Sequence, residues 1–284
     1  MTQRINTTTI LKRGKAENIR FLTFHFWLHG GPAWKYFLKF IILALLIMNI
    51  DEILKYYAAG NRNFQRLNLQ EADLTNAHLM GADFSYADLR EARLGKTNLS
   101  QGCLQSADLS ESILWGIDLS AADLYRAVLR EADLTGAKLV NTRLEETNLI
   151  KASLCGANLH GANLSRSLLI QADLRPSSNQ GTDLGYAVLT GADLSYADLR
   201  GVSLHHANLH QAKLCRANLS QTIEWDNLAA DLSEASLQGA DLSYANLHST
   251  ILRRANLQGA DLTGTILTNA DLQGTIMPDG TIHD

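Results

Sequence analysis

Residues 71–94 read EADLTNAHLMGADFSYADLREARL, with Leu74, Leu79, Phe84, Leu89 and Leu94 five apart and a small or short side chain two places before each. In extended chain, alternate side chains share a side, so Ala72 and Leu74 face one way while Asp73 faces the other. Five is odd, and a straight strand would therefore turn Ala77 and Leu79 outward. Keeping every small residue and every leucine inside requires one bend per pentad. The chain must coil around its own leucines. The pattern runs from Phe64 to Leu219 and resumes from Leu232 to Met277.

The units ADLTN, ADFSY, ADLRE, ANLHG and ADLTG resemble the A(D/N)LXX units of pentapeptide-repeat proteins, over residues from about 60 to about 277. The resemblance implies an all-β solenoid: a right-handed, quadrilateral β-helix with four pentads, or twenty residues, per coil. It also implies kinship with cyanobacterial chains linked to differentiation, transport and photosynthetic membranes. Parity alone gives the bends and not the number of sides.

A repeat of this length takes precedence over the usual estimate of globular domains from chain length. Ten or so coils at about 4.8 Å each make a rod roughly 50 Å long, and each buried leucine contributes about 1.5 to 3 kcal/mol. Cys103, Cys155 and Cys215 are too few and too odd in number for a disulfide framework. On a strict twenty-residue coil Cys155 and Cys215 share a column three coils apart, too far to bridge. Reduced thiols favour a cytosolic face.

The expected organisation has four parts: a basic, hydrophobic helical segment over 1–58, β-helix over 59–219 with about eight coils, an interruption at 220–231, and further coils with a C-terminal cap over 232–284. Two departures from the repeat stand out. From Leu174 to Leu184 the step is ten, which places Asn179 in a core slot without breaking register, with Pro176 and two serines bulging into a loop. From Leu219 to Leu232 the step is thirteen, so a loop or shifted corner lies there, anchored by Trp225. Trp225 either covers exposed core or forms a partner-binding loop. Phe64 and Phe84 fall one coil apart in one column, and Pro278 and Gly280 are placed to stop strand pairing at the far end.

Residues 1–58 carry eight basic side chains (Arg4, Lys12, Arg13, Lys15, Arg20, Lys35, Lys39 and Lys55) against three acidic ones, a net of +5, which leaves −9 for the rest of a chain whose total is −4. Such asymmetry suggests two jobs. Phe40, Ile41, Ile42, Leu43, Leu45, Leu46, Ile47 and Met48 lie on a stretch apolar on all sides, the candidate membrane anchor. A spanning helix needs about twenty apolar residues. Tyr36 to Ile50 supplies fifteen if Lys39 snorkels. Phe21, Phe24, Trp27 and Leu28 add an aromatic, basic-flanked element of the kind that lies at a membrane surface. The segment lacks the form of a cleavable signal peptide. A helix that spans would send the repeats across the membrane, whereas one that only embeds leaves them cytoplasmic. The other reading is a helical cap, with Ile50, Ile53, Leu54 and Tyr57 at helical spacing to cover Phe64 and the first leucines.

Outward columns follow from a twenty-residue coil. Glu71, Glu91, Glu111 and Glu131 form a ladder, continued by Lys151 and Gln171, with Arg90 and Arg130 placed to screen it. It reads as a solvated face or as an acidic strip for a basic partner. Val128, Ile150, Leu168, Ile170 and Val188 point outward on four successive coils, the best partner-binding candidate on the rod, because contiguous apolar patches mark interfaces. Ile113 and Trp115 form a smaller patch on the next side. His205, His206 and His210 lie close together, but nothing in their spacing fixes the convergence a metal needs. The sequence carries no nucleophile with a base, no phosphate-cradling glycine loop and no cofactor fingerprint. These observations point to a non-enzymatic interaction scaffold or adaptor, membrane-attached, with an unidentified protein partner and without cofactor, metal or nucleic acid. Two alternatives stand. One is a DNA mimic that protects a type II topoisomerase, a role requiring a continuous acidic surface that the interspersed arginines interrupt. The other is an accessory to a membrane transport or export system.

Overall fold

The computed structural model describes residues 50–177, 180–221 and 228–284. The candidate anchor Phe40 to Met48, Asn179 and Trp225 lie outside the described residues. Among the described residues no helix is long and apolar enough to cross a membrane.

The repeat folds as the parity argument requires. Single-residue parallel bridges link each pentad to the one twenty residues on, as in Asn63 with Asp83 and Asp73 with Arg93, so four pentads complete a coil. The four faces are named here by their first apolar residue: Phe64 opens face 1, Leu69 face 2, Leu74 face 3 and Leu79 face 4. Following the bridges gives ten coils, from Phe64 to Leu272. The leucines stack into one buried core with the small residues two places before them.

Each corner is a turn closed by a bond such as Ala72 N–H to the Leu69 carbonyl, 3.0 Å. Its second central residue has positive φ, +59° at Glu71 and +57° at Arg126, as a type II turn demands. Inter-coil bonds then take up all but one amide per pentad. The leucine amide donates to the next coil, as Leu69 does to Asp88 at 2.7 Å, and the second turn residue does likewise, as Glu71 does to Arg90 at 2.9 Å. The amide left over belongs to the first turn residue. The residue before the leucine accepts it: Thr75 N–H to Asp73 Oδ1 is 3.1 Å and Ser120 N–H to Asp118 Oδ1 is 3.0 Å. Asp and Asn recur at that position because their short side chains bend back two residues. Where Thr replaces the buried alanine, its hydroxyl bonds a carbonyl of the coil beneath, as Thr97 does to Leu74 at 2.6 Å.

Both interruptions leave the coil at the corner between faces 3 and 4. Asn158 bridges Asp183, a separation of twenty-five, so five residues between Arg175 and Thr182 are extruded. The expectation of unbroken register across this stretch is therefore corrected. Leu184 follows Leu174 directly, and every later column moves by one pentad. The extrusion escapes notice because five is itself the repeat length. Thr182 seals the gap, its hydroxyl receiving the Gly156 amide and donating to the Arg175 carbonyl, both at 2.8 Å. Ser203 bridges Asp231, a separation of twenty-eight, so this coil is eight residues longer than the regular twenty. Leu228, which leads back into it, lies against Gly181 beside the first interruption.

At the first coil, α1 (Ile50–Ala58) supplies the cap that the helical spacing suggests. Ile53 is fully buried in the core, with Ile50 and Tyr57 packed against it. Leu54 instead stays 38% exposed. The Tyr57 hydroxyl donates to the Met80 carbonyl at 2.9 Å, and Phe64 stacks on Phe84 with centroids 5.2 Å apart. At the far end the expected stop is instead a reversal. β1 (Thr275–Ile276) pairs antiparallel with β2 (Ile282–His283), Gly280 takes φ +88° in the turn, and the Pro278 carbonyl still accepts from Gly259 at 2.9 Å.

Leu134→Ala, in the middle of the stack, is expected to lower unfolding free energy by about 2 to 5 kcal/mol in urea titration, and Asp118→Ala by about 0.5 to 1.5 kcal/mol through its lost turn bond. The turn bonds also set an acid limit. The Thr75 hydroxyl and amide hold Asp73 below its ordinary pKa, and those of Thr263 do the same for Asp261. A carboxylate depressed in the folded state stabilises above its unfolded pKa and loses that contribution as pH falls through the folded one. Melting temperature should therefore hold from neutral pH down to about 4 and fall below it.

Candidate functional site

Face 2 carries most of the expected patch. Val128 and Leu168 share one column, with Asn148 between them, at the position that precedes the leucine. Ile150 and Ile170 occupy the first turn position of the fifth and sixth coils, linked by Lys151 N–H to the Ile170 carbonyl at 3.0 Å. Leu168 is 40% exposed, whereas Val128, Ile150 and Ile170 are half-buried. Val188 does not belong. The extruded pentad carries it to face 1, between Asn163 and Asn208, and puts Asp193 where it was expected. The patch spans three coils rather than four.

Its position carries chemical information. At Ile113, Val128, Leu168, Val188, Ile251 and Ile266 an apolar side chain stands where Asp or Asn elsewhere accepts the leftover turn amide, and of these Val128 and Leu168 lie on face 2. Local hydrogen bonding disfavours each of these residues, and departures of this kind collect at functional positions.

The glutamate ladder is confirmed on the second turn position of face 2, where Glu71, Glu91 and Glu111 line a shallow groove with Asp73, Arg93 and Ile113. Screening differs from expectation. Arg90 is bound to Asp88 at 2.6 Å rather than to the ladder, while Arg130 and Lys151 approach Glu131 at 3.5 and 3.8 Å. Beyond Gln171 the same column continues as Tyr196, Arg216 and Tyr244, an order hidden by the register shift. The Arg216 guanidinium lies 5.9 Å from the Tyr196 ring centroid and 5.3 Å from that of Tyr244.

On face 3, Ile113 and Trp115 are 38% and 40% exposed. Trp115 lies flat over Gly95, where a Cβ would come within 2.6 Å of its Nε1, and Lys96 Nζ sits 4.8 Å from its ring centroid. On face 4, His205 and His206 meet at 5.7 Å between centroids, joined by His160 and by Tyr186, which stacks on His206 at 4.7 Å. His210 projects instead from face 1. His205 Nδ1 is held by Ser203 Oγ at 2.8 Å, and no group of three or more ligating side chains among the described residues is arranged to hold a metal.

The cysteines are free thiols. Cys155 and Cys215 lie on faces 3 and 2, so the shared column expected for them is corrected by the same pentad shift. Burial pushes the Cys155 thiol up to about 11, which keeps it protonated and unreactive at neutral pH. Arginines on the other faces close on carboxylates nearby: Arg126 and Arg166 on Glu146 at 2.6 and 2.8 Å, Arg200 on Asp198 at 2.7 Å. A surface neutralised in this way is no continuous polyanion of the kind that imitates nucleic acid.

No curated protein sequence matches the chain. Among solved structures it is similar to HetL, a pentapeptide repeat protein involved in heterocyst differentiation regulation from the cyanobacterium Nostoc sp. strain PCC 7120, at 78% identity over 83% of this chain and 100% of that one, with a TM-score of 0.83. A pentapeptide repeat protein from the Arabidopsis thaliana thylakoid lumen matches at 26% identity over 41% of this chain and 71% of its own, with a TM-score of 0.28. The plasmid-mediated fluoroquinolone resistance protein QnrB1 matches at 18% identity over 73% and 89%, with a TM-score of 0.32. Structures of this kind are right-handed β-helices, the sense that the resemblance of the units implied. The family model for pentapeptide repeats matches in eight copies across residues 63–101, 103–139, 137–175, 182–221 and 230–269, and the chain belongs to the pentapeptide-repeat family.

Proposed function

We propose that this protein is a non-enzymatic regulatory scaffold that binds a protein partner through face 2. One observation carries the reading: Val128 and Leu168 occupy the position where an aspartate would accept a turn amide, and Ile150 and Ile170 extend the patch beside them. An apolar side chain at a position whose local hydrogen bonding favours Asp or Asn is free to serve a contact outside the turn. The similarity to HetL, involved in regulating heterocyst differentiation, supports a regulatory role of the same kind. Ile113 and Trp115 on the adjoining face extend the contact area, with the aromatic anchor typical of interface centres.

The basic, apolar segment before α1 is proposed to hold the scaffold at a membrane, because Phe40 to Met48 carries no charge and an all-round apolar stretch must be buried somewhere. Full-length chain should pellet with membranes, and a chain lacking residues 1–47, which keeps the α1 cap, should not. Soluble behaviour of both without detergent dismisses the attachment.

The site makes a prediction of opposite signs. Leu168→Asp restores a turn acceptor for the Ile170 amide and should raise unfolding free energy by about 0.5 to 1 kcal/mol. Combined with Ile170→Asp, it should abolish capture of a partner from a cyanobacterial extract by the full-length chain. Unchanged capture removes face 2 from the function.

A further inference from the structure

We infer that the tenth coil, on faces 2 to 4, is a docking edge for an extended segment of a partner protein that carries apolar side chains five residues apart. This site is separate from the outer surface of face 2 and does not depend on it. The two ends of the stack are sealed unequally. Beneath α1, Phe64, Leu69 and Leu74 of the first coil are buried. In the tenth coil Leu262, Leu267 and Leu272 are only half-buried, although Leu242, Leu247 and Leu252 directly beneath them are closed off.

The backbone is open at the same place. In the ninth coil the leucine amide and the second turn amide donate upward, Leu242 to the Asp261 carbonyl at 2.9 Å and Tyr244 to the Thr263 carbonyl at 2.8 Å, while the Ala240 carbonyl accepts from Asp261 at 2.9 Å. In the tenth coil no acceptor reaches the amides of Leu262, Leu267 and Leu272, and no donor reaches the carbonyls two residues before them. The second turn amides of Gly264 and Asn269 are likewise unpaired. An edge that offers donors, acceptors and apolar surface together is a template for another strand.

Face 1 shows what this end accepts. There β2 is laid on β1, with Gly274 N–H to the His283 carbonyl and Met277 N–H to the Thr281 carbonyl, both at 2.7 Å. The three open sides adjoin that pairing. The coil itself then specifies the ligand, because a segment on the edge meets the slots that the tenth coil meets on the ninth. Its residue over Asp261 must donate to the Ala260 carbonyl and accept from the Leu262 amide. The next residue must be apolar to cover Leu262, and the one two places before that must be small, as Ala260 is above Ala240. Outer neighbours add selectivity. A carboxylate over Asp261 would be opposed, whereas Ile266, 48% exposed, favours an apolar side chain above it. A second copy fits less well than an open segment. Its first coil lies beneath α1, and in tail-to-tail contact the added strands on face 1 of each copy would hold the remaining edges apart.

A peptide of three pentads, ANLTGAILTGANLTG, tests the edge when labelled with fluorescein and titrated with full-length chain in non-ionic detergent. Anisotropy should show saturable one-to-one binding. The same peptide N-methylated at the residue before each leucine should bind about tenfold or more weakly, because it cannot donate to the edge carbonyls. Hydrogen exchange followed by NMR should slow at Leu262, Gly264, Leu267 and Asn269 when the peptide is added. Leu267→Asp should weaken binding about tenfold, with circular dichroism to check its fold, and the peptide and exchange comparisons need no variant. Leu168→Asp with Ile170→Asp, on the outer surface of face 2, should leave binding unchanged. Absence of saturable binding overturns the inference, as does equal binding of the N-methylated peptide or slowed exchange confined to other amides. A chain that dimerises by itself in sedimentation and loses the dimer with Leu267→Asp also overturns it, since the edge then belongs to a second copy.

Discussion

Everything in this coil depends on one amide. Inter-coil bonds and the turn bond take up the other backbone donors of a pentad and leave the N–H of the first turn residue over, as at Thr75 and Ser120. A carboxylate or carboxamide before the leucine accepts it. Corners of a rod built from bends every five residues would otherwise carry an unpaired donor each, repeated at every face. The leucines supply the burial that drives collapse, and this local bond supports the corners wherever an Asp or Asn provides it. The same chemistry occupies one oxygen of each such aspartate with its own turn, although the side chain faces outward.

That economy makes departures from the repeat conspicuous. Most polar side chains of the surface are consumed by the coil itself or by ion pairs such as Arg126 with Glu146. Residues that decline the local bond, Val128 and Leu168 among them, stand out chemically as well as by hydropathy. Trp115 is a departure of another kind. It depends on a bare glycine in the coil beneath, so two coils combine to present one ring. Positive φ at the second turn residue is a further constraint, and it throws those side chains into continuous outer columns along the corners. Face 2 thereby acquires an order of charges along its length that no single pentad contains.

Extrusion of whole segments is tolerated because the coil needs only its corner to be resealed. Thr182 does so with a hydroxyl bonded to both flanking backbones. Both extrusions leave between faces 3 and 4, and Leu228, which leads back from the second, lies against Gly181 beside the first. Face 2 is left flat and continuous. Stability remains a sum of neighbouring coil contacts, with α1 closing the first coil through Ile53 and a hairpin closing part of the last.

How much of this was legible follows from the arithmetic of the repeat. The odd period of the leucines determined by itself that the chain coils, which residues are buried, and that Phe64 stacks on Phe84. It also located the glutamate ladder and the Val128, Ile150, Leu168 and Ile170 patch, because those residues precede any interruption. Past Leu174 the sequence lost its coordinates. An extrusion of five residues leaves a five-residue period intact, so only hydrogen-bond pairing in three dimensions shows that Val188 has moved to face 1 and that Tyr196, Arg216 and Tyr244 continue the glutamate column. The meeting of His160 and Tyr186 with His205 and His206 was hidden for the same reason. Local pattern decides what each pentad is, whereas the closing of one coil on the next decides what it stands beside.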